Sequence, residues 1–211
     1  MVTKSVRRVF PRRLGERLCL DFANTVDSRI GPDREDFLRS YADLVLWGGF
    51  ASVLAQTQVD RLVSAGARHP EAAAAVLGRA IELREAIFEV FQCVARAESP
   101  VAGDLDVVQQ EHLAALAHAR LVGVGARFDF VWGDDVADLD RVLWPIVRSA
   151  VDLLLTGDPA RVRQCWGPAG DCGWLFYDVS KNASRRWCSM EGCGSQAKMR
   201  RYRARGRVAG D

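Results

Sequence analysis

The chain has 211 residues, of which 49% are hydrophobic and 27% charged, a composition typical of a folded globular protein and not of a disordered one. This length allows one main domain of roughly 100–200 residues and a small accessory module. No apolar run reaches the roughly 18 residues of a membrane helix, and no apolar segment of a secretory signal follows the basic leader MVTKSVRRVFPRR. We therefore expect a cytoplasmic protein of bacterial type that does not contact a membrane.

The positive charge is concentrated near the C-terminus, although the formal net charge is only +2. Residues 179–211 carry nine Lys or Arg and two acids, a net +7, while the remainder carries 20 basic and 25 acidic residues, a net −5. A basic end on an acidic body is typical of a chain whose end binds a polyanion. A solvated tail without a partner is the alternative that charge alone leaves open.

The N-terminal half of the chain predicts mainly helices. The run LCLDFANTVDSR (18–29) indicates either a strand or the start of a buried helix, because short apolar runs do not distinguish the two. Residues 33–50 have acids at their start, apolar residues at helical spacing and a Gly-Gly pair near their end, and they predict a helix that stops at the glycines. Two more helices are predicted over 51–69 and 70–99, the second with proline at its first position.

The middle of the chain predicts two helices separated by one strand. The first helix covers 104–121 and is closed by a glycine. Residues 125–135 alternate aromatic and polar side chains, which predicts a half-buried strand with Phe128, Phe130 and Trp132 in the core. A helix over 134–157 follows, and Pro145 should kink or split it.

Four of the six cysteines form a cluster near the C-terminus, in the pattern C-x6-C-x15-C-x4-C. They are Cys165, Cys172, Cys188 and Cys193. In a reducing cytosol, clustered thiols favour a metal over disulfides, and thiolates are the ligands that zinc prefers in closed structural sites. Four such ligands leave no open position for water, so we expect one structural Zn²⁺ and no catalytic metal. Unpaired thiols or a redox switch are the alternatives.

The residues around the cysteines predict a hairpin and a helix. GWLFYDVS (173–180) reads as a strand, Lys181 and Asn182 as a turn, and 184–187 as the returning strand. A basic helix is expected to begin at Gly194 or Ser195. The sequence therefore predicts a mainly α protein with a small β component. It has a helical regulatory domain over 1–160 and a treble-clef-like zinc finger over 161–211.

The basic helix indicates that the finger binds DNA. Its like charges lie three and four residues apart, which destabilises an isolated helix, and phosphates would offset them. Side chains of the hairpin would add further donors. The candidate DNA-binding residues are Lys181, Asn182, Arg185, Arg186, Gln196, Lys198, Arg200, Arg201, Arg203 and Arg205.

The finger resembles the CGNR zinc finger family. The resemblance is carried by CGWLFYD (172–178), by SRRWCSM (184–190) and by Cys193 with the glycine that follows it. LCLDFANTVDSR is similar to the start of the ABATE domain, a family proposed to regulate transcription under stress. The resemblance implies a bacterial transcription factor with four cysteine ligands and a C-terminal module that binds double-stranded DNA. The tetrapeptide that names the family is Cys-Gly-Ser-Gln here, so Gln196 replaces the arginine, and glutamine reads adenine where arginine reads guanine.

The function of the N-terminal domain is less defined by its residues. Asp21, Asn24, Thr25 and Arg29 are candidates for a polar pocket that binds a small-molecule effector, and the alternative is that they cap turns and pair internally. No nucleophile elbow, phosphate loop or dinucleotide fingerprint occurs, so we do not expect an enzyme. A homodimer is plausible, since one finger buries little surface on DNA.

Two other functions remain open at this point. The finger would be an adaptor for RNA or a protein partner, with Trp174 or Tyr177 as contact residues, or the chain would bind a small molecule and use the finger only to close its fold.

Overall fold

The computed structural model describes residues 10–133 and 138–208. The helices in these ranges are α1 (Leu18–Ala23), α2 (Tyr41–Phe50), α3 (Gln56–Arg68), α4 (Pro70–Arg96), α5 (Ala102–Leu116), α6 (Leu143–Thr156) and α7 (Ser195–Val208). The strands are β1 (Val26–Asp27), β2 (Glu35–Asp36), β3 (Ala119–Val124), β4 (Arg127–Trp132), β5 (Val162–Gln164) and β6 (Leu175–Tyr177). They form three antiparallel pairs in chain order, so the predicted mainly α architecture with a small β component is confirmed.

The long helix α4 is the centre of the fold and packs against α1, α2, α3, α5 and α6. Its apolar residues recur at helical spacing, which gives it a wide buried face. The side chains of Phe22, Trp47, Ile87 and Trp144 come from four different helices and are buried together in one core. Within the described residues, no helix is both long enough and apolar enough to cross a membrane.

Two predicted N-terminal elements have different bounds in the structure. Residues 18–29 form a short helix followed by a two-residue strand, and α2 begins at Tyr41 and not near residue 33. The later start follows from Ser40, whose side chain accepts a hydrogen bond from the Asp43 backbone N–H at 3.2 Å. Gly48 lies inside α2, and glycine is needed at this position because a Cβ atom there would come within 2.8 Å of the Val142 side chain. The Gly-Gly pair therefore allows close packing and does not end the helix.

The predicted helix over 104–121 and the strand after it also differ. The helix ends at Leu116, and 119–124 form a strand that pairs with β4, which the sequence reasoning missed. Gly125 supplies the positive φ of +62° that this tight hairpin requires. The hairpin lies at the surface, so Phe128 is 76% exposed and does not belong to the core, whereas Phe130 and Trp132 are partly buried.

Helix α6 has no kink at Pro145. It begins at Leu143, so the proline lies in the first turn, where a backbone N–H has no partner inside the helix. Residues 134–137 of the helix predicted there lie outside the described residues. The helix ends as expected at Gly157, whose N–H donates to the Leu153 carbonyl at 3.0 Å.

Strand β6 connects the C-terminal module to the body. It was predicted correctly, but its partner is β5, in the register Val162↔Tyr177, and not 184–187. Successive side chains of a strand point to opposite faces. Leu175 and Tyr177 therefore enter the main core, while Trp174 and Phe176 pack with the cysteines in a second, smaller core. Pairing with β5 also places Val162 in the main core.

Candidate metal centre and nucleic-acid interface

The four clustered cysteines converge on one point. Cys165 follows β5, Cys172 precedes β6, and Cys188 and Cys193 lie in the segment that leads into α7. All four Sγ atoms lie within 4.8 Å of one another, with 3.8 Å between Cys172 and Cys188 and 3.7 Å between Cys188 and Cys193. Four sulfurs placed tetrahedrally about 2.3 Å from a zinc ion would be about 3.8 Å apart. The spacing fits Zn²⁺ without rearrangement.

Local backbone contacts hold each pair of cysteines in place. The N–H of Cys165 donates to the Trp174 carbonyl, and the N–H of Gly173 donates to the Cys165 carbonyl, each at 2.8 Å. Gly173 has a φ of +76°, and a Cβ atom there would lie 3.1 Å from the Ile30 side chain. The second pair lies around one wide helical turn over Met190–Gly194, whose start is capped by the Ser189 side chain. This turn continues into α7, so the metal site fixes the N-terminal end of the basic helix.

The thiols of the cluster are close enough to change one another's ionisation. Hydrogen bonds from Cys172 and the other two thiols move the pKa of Cys165 far below the ordinary value, while contact with Cys165 raises the pKa of Cys172 and of Cys188. Sulfurs this close cannot all be thiolates unless a positive ion lies between them. None of the six cysteines forms a disulfide. The four ligands fill a tetrahedral sphere, which makes this a site for one structural zinc ion.

A buried carboxylate organises the turn after β6. Asp178 is fully buried and accepts hydrogen bonds from the backbone N–H groups of Ser180 at 2.9 Å and Arg185 at 2.7 Å. Burial opposes ionisation, but these bonds hold the pKa of Asp178 below its usual value. Arg161 donates to the Asp178 carbonyl at 2.8 Å and closes the turn from the other side. The turn therefore has a fixed shape before any partner binds.

Arg185 has a structural position that the sequence reasoning did not anticipate. Its Nε atom donates to the Trp187 carbonyl at 2.9 Å, it also donates to the Cys188 carbonyl, and its guanidinium lies 4.7 Å above the Phe176 ring. The side chain is 19% exposed. These contacts brace the loop that carries Cys188 and leave Arg185 poorly placed to contact DNA.

The other predicted DNA-binding residues are exposed. They are Lys181, Asn182 and Arg186 in the turn region, and Gln196, Lys198, Arg200, Arg201, Arg203 and Arg205 in α7. Ala197 is buried, and every side chain over 198–205 is exposed. The helix therefore extends away from the body after its first turn.

The helical repeat divides the exposed side chains of α7 into rows. One row contains Lys198, Arg201 and Arg205, and the other contains Gln196, Arg200 and Arg203. Met199 and Tyr202, which are 50% and 75% exposed, lie between the two rows. The helix thus presents a central strip with a polar, mostly basic row on each side.

The four residues proposed for an effector pocket have internal partners. The Asn24 amide donates to the Leu175 carbonyl at 2.8 Å and accepts from the Leu175 N–H at 2.9 Å. Asp21 accepts from the Gly15 N–H, Thr25 donates to a carbonyl of α1, and Arg29 pairs with Glu85. These contacts favour the alternative in which the residues cap turns and pair internally.

Several structural residues escaped sequence reasoning. Arg84 is 1% exposed and forms a bidentate ion pair with Asp36, with 2.8 Å between Nη1 and Oδ1 and 2.7 Å between Nη2 and Oδ2. The Trp174 indole N–H donates to the Val26 carbonyl at 3.0 Å. Trp174 and Tyr177 are 7% and 8% exposed, so they are not available as contact residues for an RNA or protein partner. The sequence signal for such buried hydrogen-bonding residues is an arginine or an asparagine inside an otherwise apolar run, as at Arg84 and Asn24.

Comparison with family models gives two matches. Residues 16–157 match ABATE, described as a putative stress-induced transcription regulator, and residues 161–206 match the CGNR zinc finger. Comparison with curated proteins finds no match. The two matches confirm the resemblance found in the sequence, and the finger match agrees with a structural zinc ion held by the four cysteines.

Proposed function

We propose that the chain, which belongs to the ABATE family and carries a CGNR zinc finger, is a zinc-dependent transcriptional regulator that binds double-stranded DNA. The observation that carries the proposal is α7, a basic helix that the metal site attaches to the body at one end only. The function that we propose is binding and not catalysis, because four thiolates fill the coordination sphere of zinc and leave no position for a substrate or water.

The charges of α7 need a partner. Five Lys or Arg lie within the eight residues 198–205, and within the described part of the chain none of them pairs with a carboxylate. Like charges three or four residues apart destabilise a helix, and residues 198–205, all of them exposed, have no buried face that would offset this. DNA phosphates supply the missing charge, and the major groove, about 12 Å wide, admits one helix.

The two rows of α7 suit different parts of DNA. Basic side chains on both sides of the helix can reach the phosphates of both strands, which positions the helix without reading sequence. Met199, Tyr202 and Gln196 would then face base edges. Because Gln196 stands where the family name indicates arginine, we expect it to read adenine and not guanine at one position.

The body would regulate the finger by binding an effector or by forming a homodimer. The support is the hydrogen-bonded link between them, in which Asn24 and the Val26 carbonyl bind the backbone of Leu175 and the indole of Trp174. We expect a shift of α1 or β1 to move β6 and the metal site with it. A second copy would add DNA contact area, since a single module buries only about 600–1,000 Å². We place this activity in the bacterial cytoplasm, where thiols stay reduced.

The test is selection of bound fragments from a random duplex pool by the zinc-loaded full chain at about 150 mM salt. We expect an enriched motif that contains adenine and is lost with Cys188→Ser. Arg201→Ala should reduce the slope of log affinity against log salt by about 0.9, whereas Arg61→Ala, on the surface of α3, should leave the slope unchanged. Salt-insensitive binding would refute the proposal, and a preference for single strands would favour the RNA adaptor.

A further inference from the structure

A cavity of about 470 Å³ lies between α6, β4, the start of α1 and β6. Small-molecule sites usually measure about 300–1,000 Å³. None of the four residues that the sequence predicted to bind an effector lines this cavity. Its wall combines residues matched to the ABATE family with Tyr177 of the zinc finger, so it lies at the junction of the two.

Two polar groups of the wall have donors left for a ligand. The guanidinium of Arg17 lies 4.2 Å above the Tyr177 ring and donates from Nη1 to the Glu16 carbonyl at 2.7 Å, and within the described residues no carboxylate approaches it to 4.0 Å, so its other N–H groups remain to be paired. The Tyr177 hydroxyl accepts from the Asp158 N–H at 3.2 Å and therefore has its own hydrogen left to donate. An anion would accept from Arg17 and Tyr177.

The cavity wall also has an apolar part and two carboxylates. Phe130, Trp132 and Leu153 supply the apolar part, and the two aromatic rings provide flat surfaces. Arg148, also in the wall, pairs with both carboxylates, with Asp152 at 2.9 Å and with Asp129 at 3.7 Å, and lies 4.8 Å above the Phe130 ring. Arg17 is then the cation of the wall that has no carboxylate partner within the described residues.

We propose that this cavity binds a small organic anion with a flat apolar body, whose carboxylate or phosphate is held by Arg17 and Tyr177. The apolar body lies against Phe130 and Trp132. This inference rests on the effector-sensing part of the proposed function and gives the effector a site and a chemical class.

The position of the cavity explains how a ligand would affect the finger. Tyr177 immediately precedes Asp178, which holds the turn before Arg185 and the zinc loop. The N–H of Tyr177 donates to the Gly15 carbonyl at 2.9 Å, two residues before Arg17. A ligand that binds Arg17 and Tyr177 together would tighten the attachment of β6 to the body.

The experiment is calorimetric titration of the zinc-loaded full chain, without DNA, with 1-naphthoate and with neutral 1-naphthamide. We expect saturable binding of naphthoate and at least tenfold weaker binding of the amide, because the amide lacks the charge that Arg17 binds. Arg17→Gln should weaken naphthoate binding about tenfold or more, whereas Arg201→Gln, which removes a charge from α7, should not change it.

Several results would overturn the proposal. They are equal affinity for the acid and the amide, unchanged affinity in Arg17→Gln, loss of binding in Arg201→Gln, and the absence of saturable binding of naphthoate, benzoate and phenyl phosphate up to about 10 mM. The comparison of acid and amide uses the unaltered chain, so it does not depend on the folding of a variant. DNA is absent throughout, and a failure of DNA binding would leave this result unaffected.

Discussion

Replacing Asn24 by alanine tests the link between the body and the zinc finger. The Asn24 side chain forms two hydrogen bonds with the backbone of Leu175, at 2.8 and 2.9 Å, as a neighbouring strand would. Leu175 is fully buried, so water cannot replace these bonds. Alanine would leave one N–H and one carbonyl unsatisfied in the core.

The expected loss follows from the two orphaned groups. A buried polar group without a partner costs about 1–3 kcal/mol, so Asn24→Ala should lower the free energy of unfolding by about 2–6 kcal/mol. Natural domains have about 5–15 kcal/mol in total. The variant should therefore fold only marginally, and its finger should detach from the body before global unfolding.

Urea unfolding of the zinc-loaded protein measures this loss, and amide hydrogen exchange locates it. The Leu175 N–H should exchange faster in Asn24→Ala than in the wild type. Asn182→Ala is the matched control, because Asn182 is exposed in the turn. If Asn24→Ala lost less than about 0.5 kcal/mol, as an ordinary surface change does, the two bonds would not be the link described here.

Three further predictions concern the metal and the buried charges. Removing zinc with a chelator should lower the melting temperature of the whole protein, and metal analysis should find one zinc per chain. Arg84→Met should lower the free energy of unfolding by about 1–3 kcal/mol in urea, because it removes the ion pair with Asp36, whose carboxylate is partly exposed and keeps some hydration. Burial raises the pKa of Asp36, but bonds from Arg84 and Leu38 outweigh it and hold the pKa below its usual value. The ionised Asp36 carboxylate should therefore contribute its full stability above about pH 4, and this contribution should be lost as the pH falls through the lower pKa of the folded state. Urea midpoints measured against pH should show this loss, and the loss should be smaller in Asp36→Asn.

Most of the helical architecture and the metal site could be predicted from the sequence, because both depend on local patterns. Helix α4 shows its apolar spacing and its initial proline directly, and the four cysteines show their chemistry by residue type. The errors came from contacts between distant residues. Strand β6 pairs with β5 because Val162 can join the main core, and Arg185 serves the zinc loop because Asp178 binds its backbone. Neither partner is visible in local spacing.

Zinc binding and the stability of the body are therefore coupled through β6. Alternate residues of this strand enter the main core and the cysteine core, so neither core can loosen without exposing apolar side chains of the other. A structural zinc ion contributes of the order of 10 kcal/mol to the fold it binds, more than a module of this size obtains from burial alone. Part of that free energy must reach α1 and α4, against which β6 packs. The same strand thus joins the body to the cysteine core, next to the metal site where α7 begins.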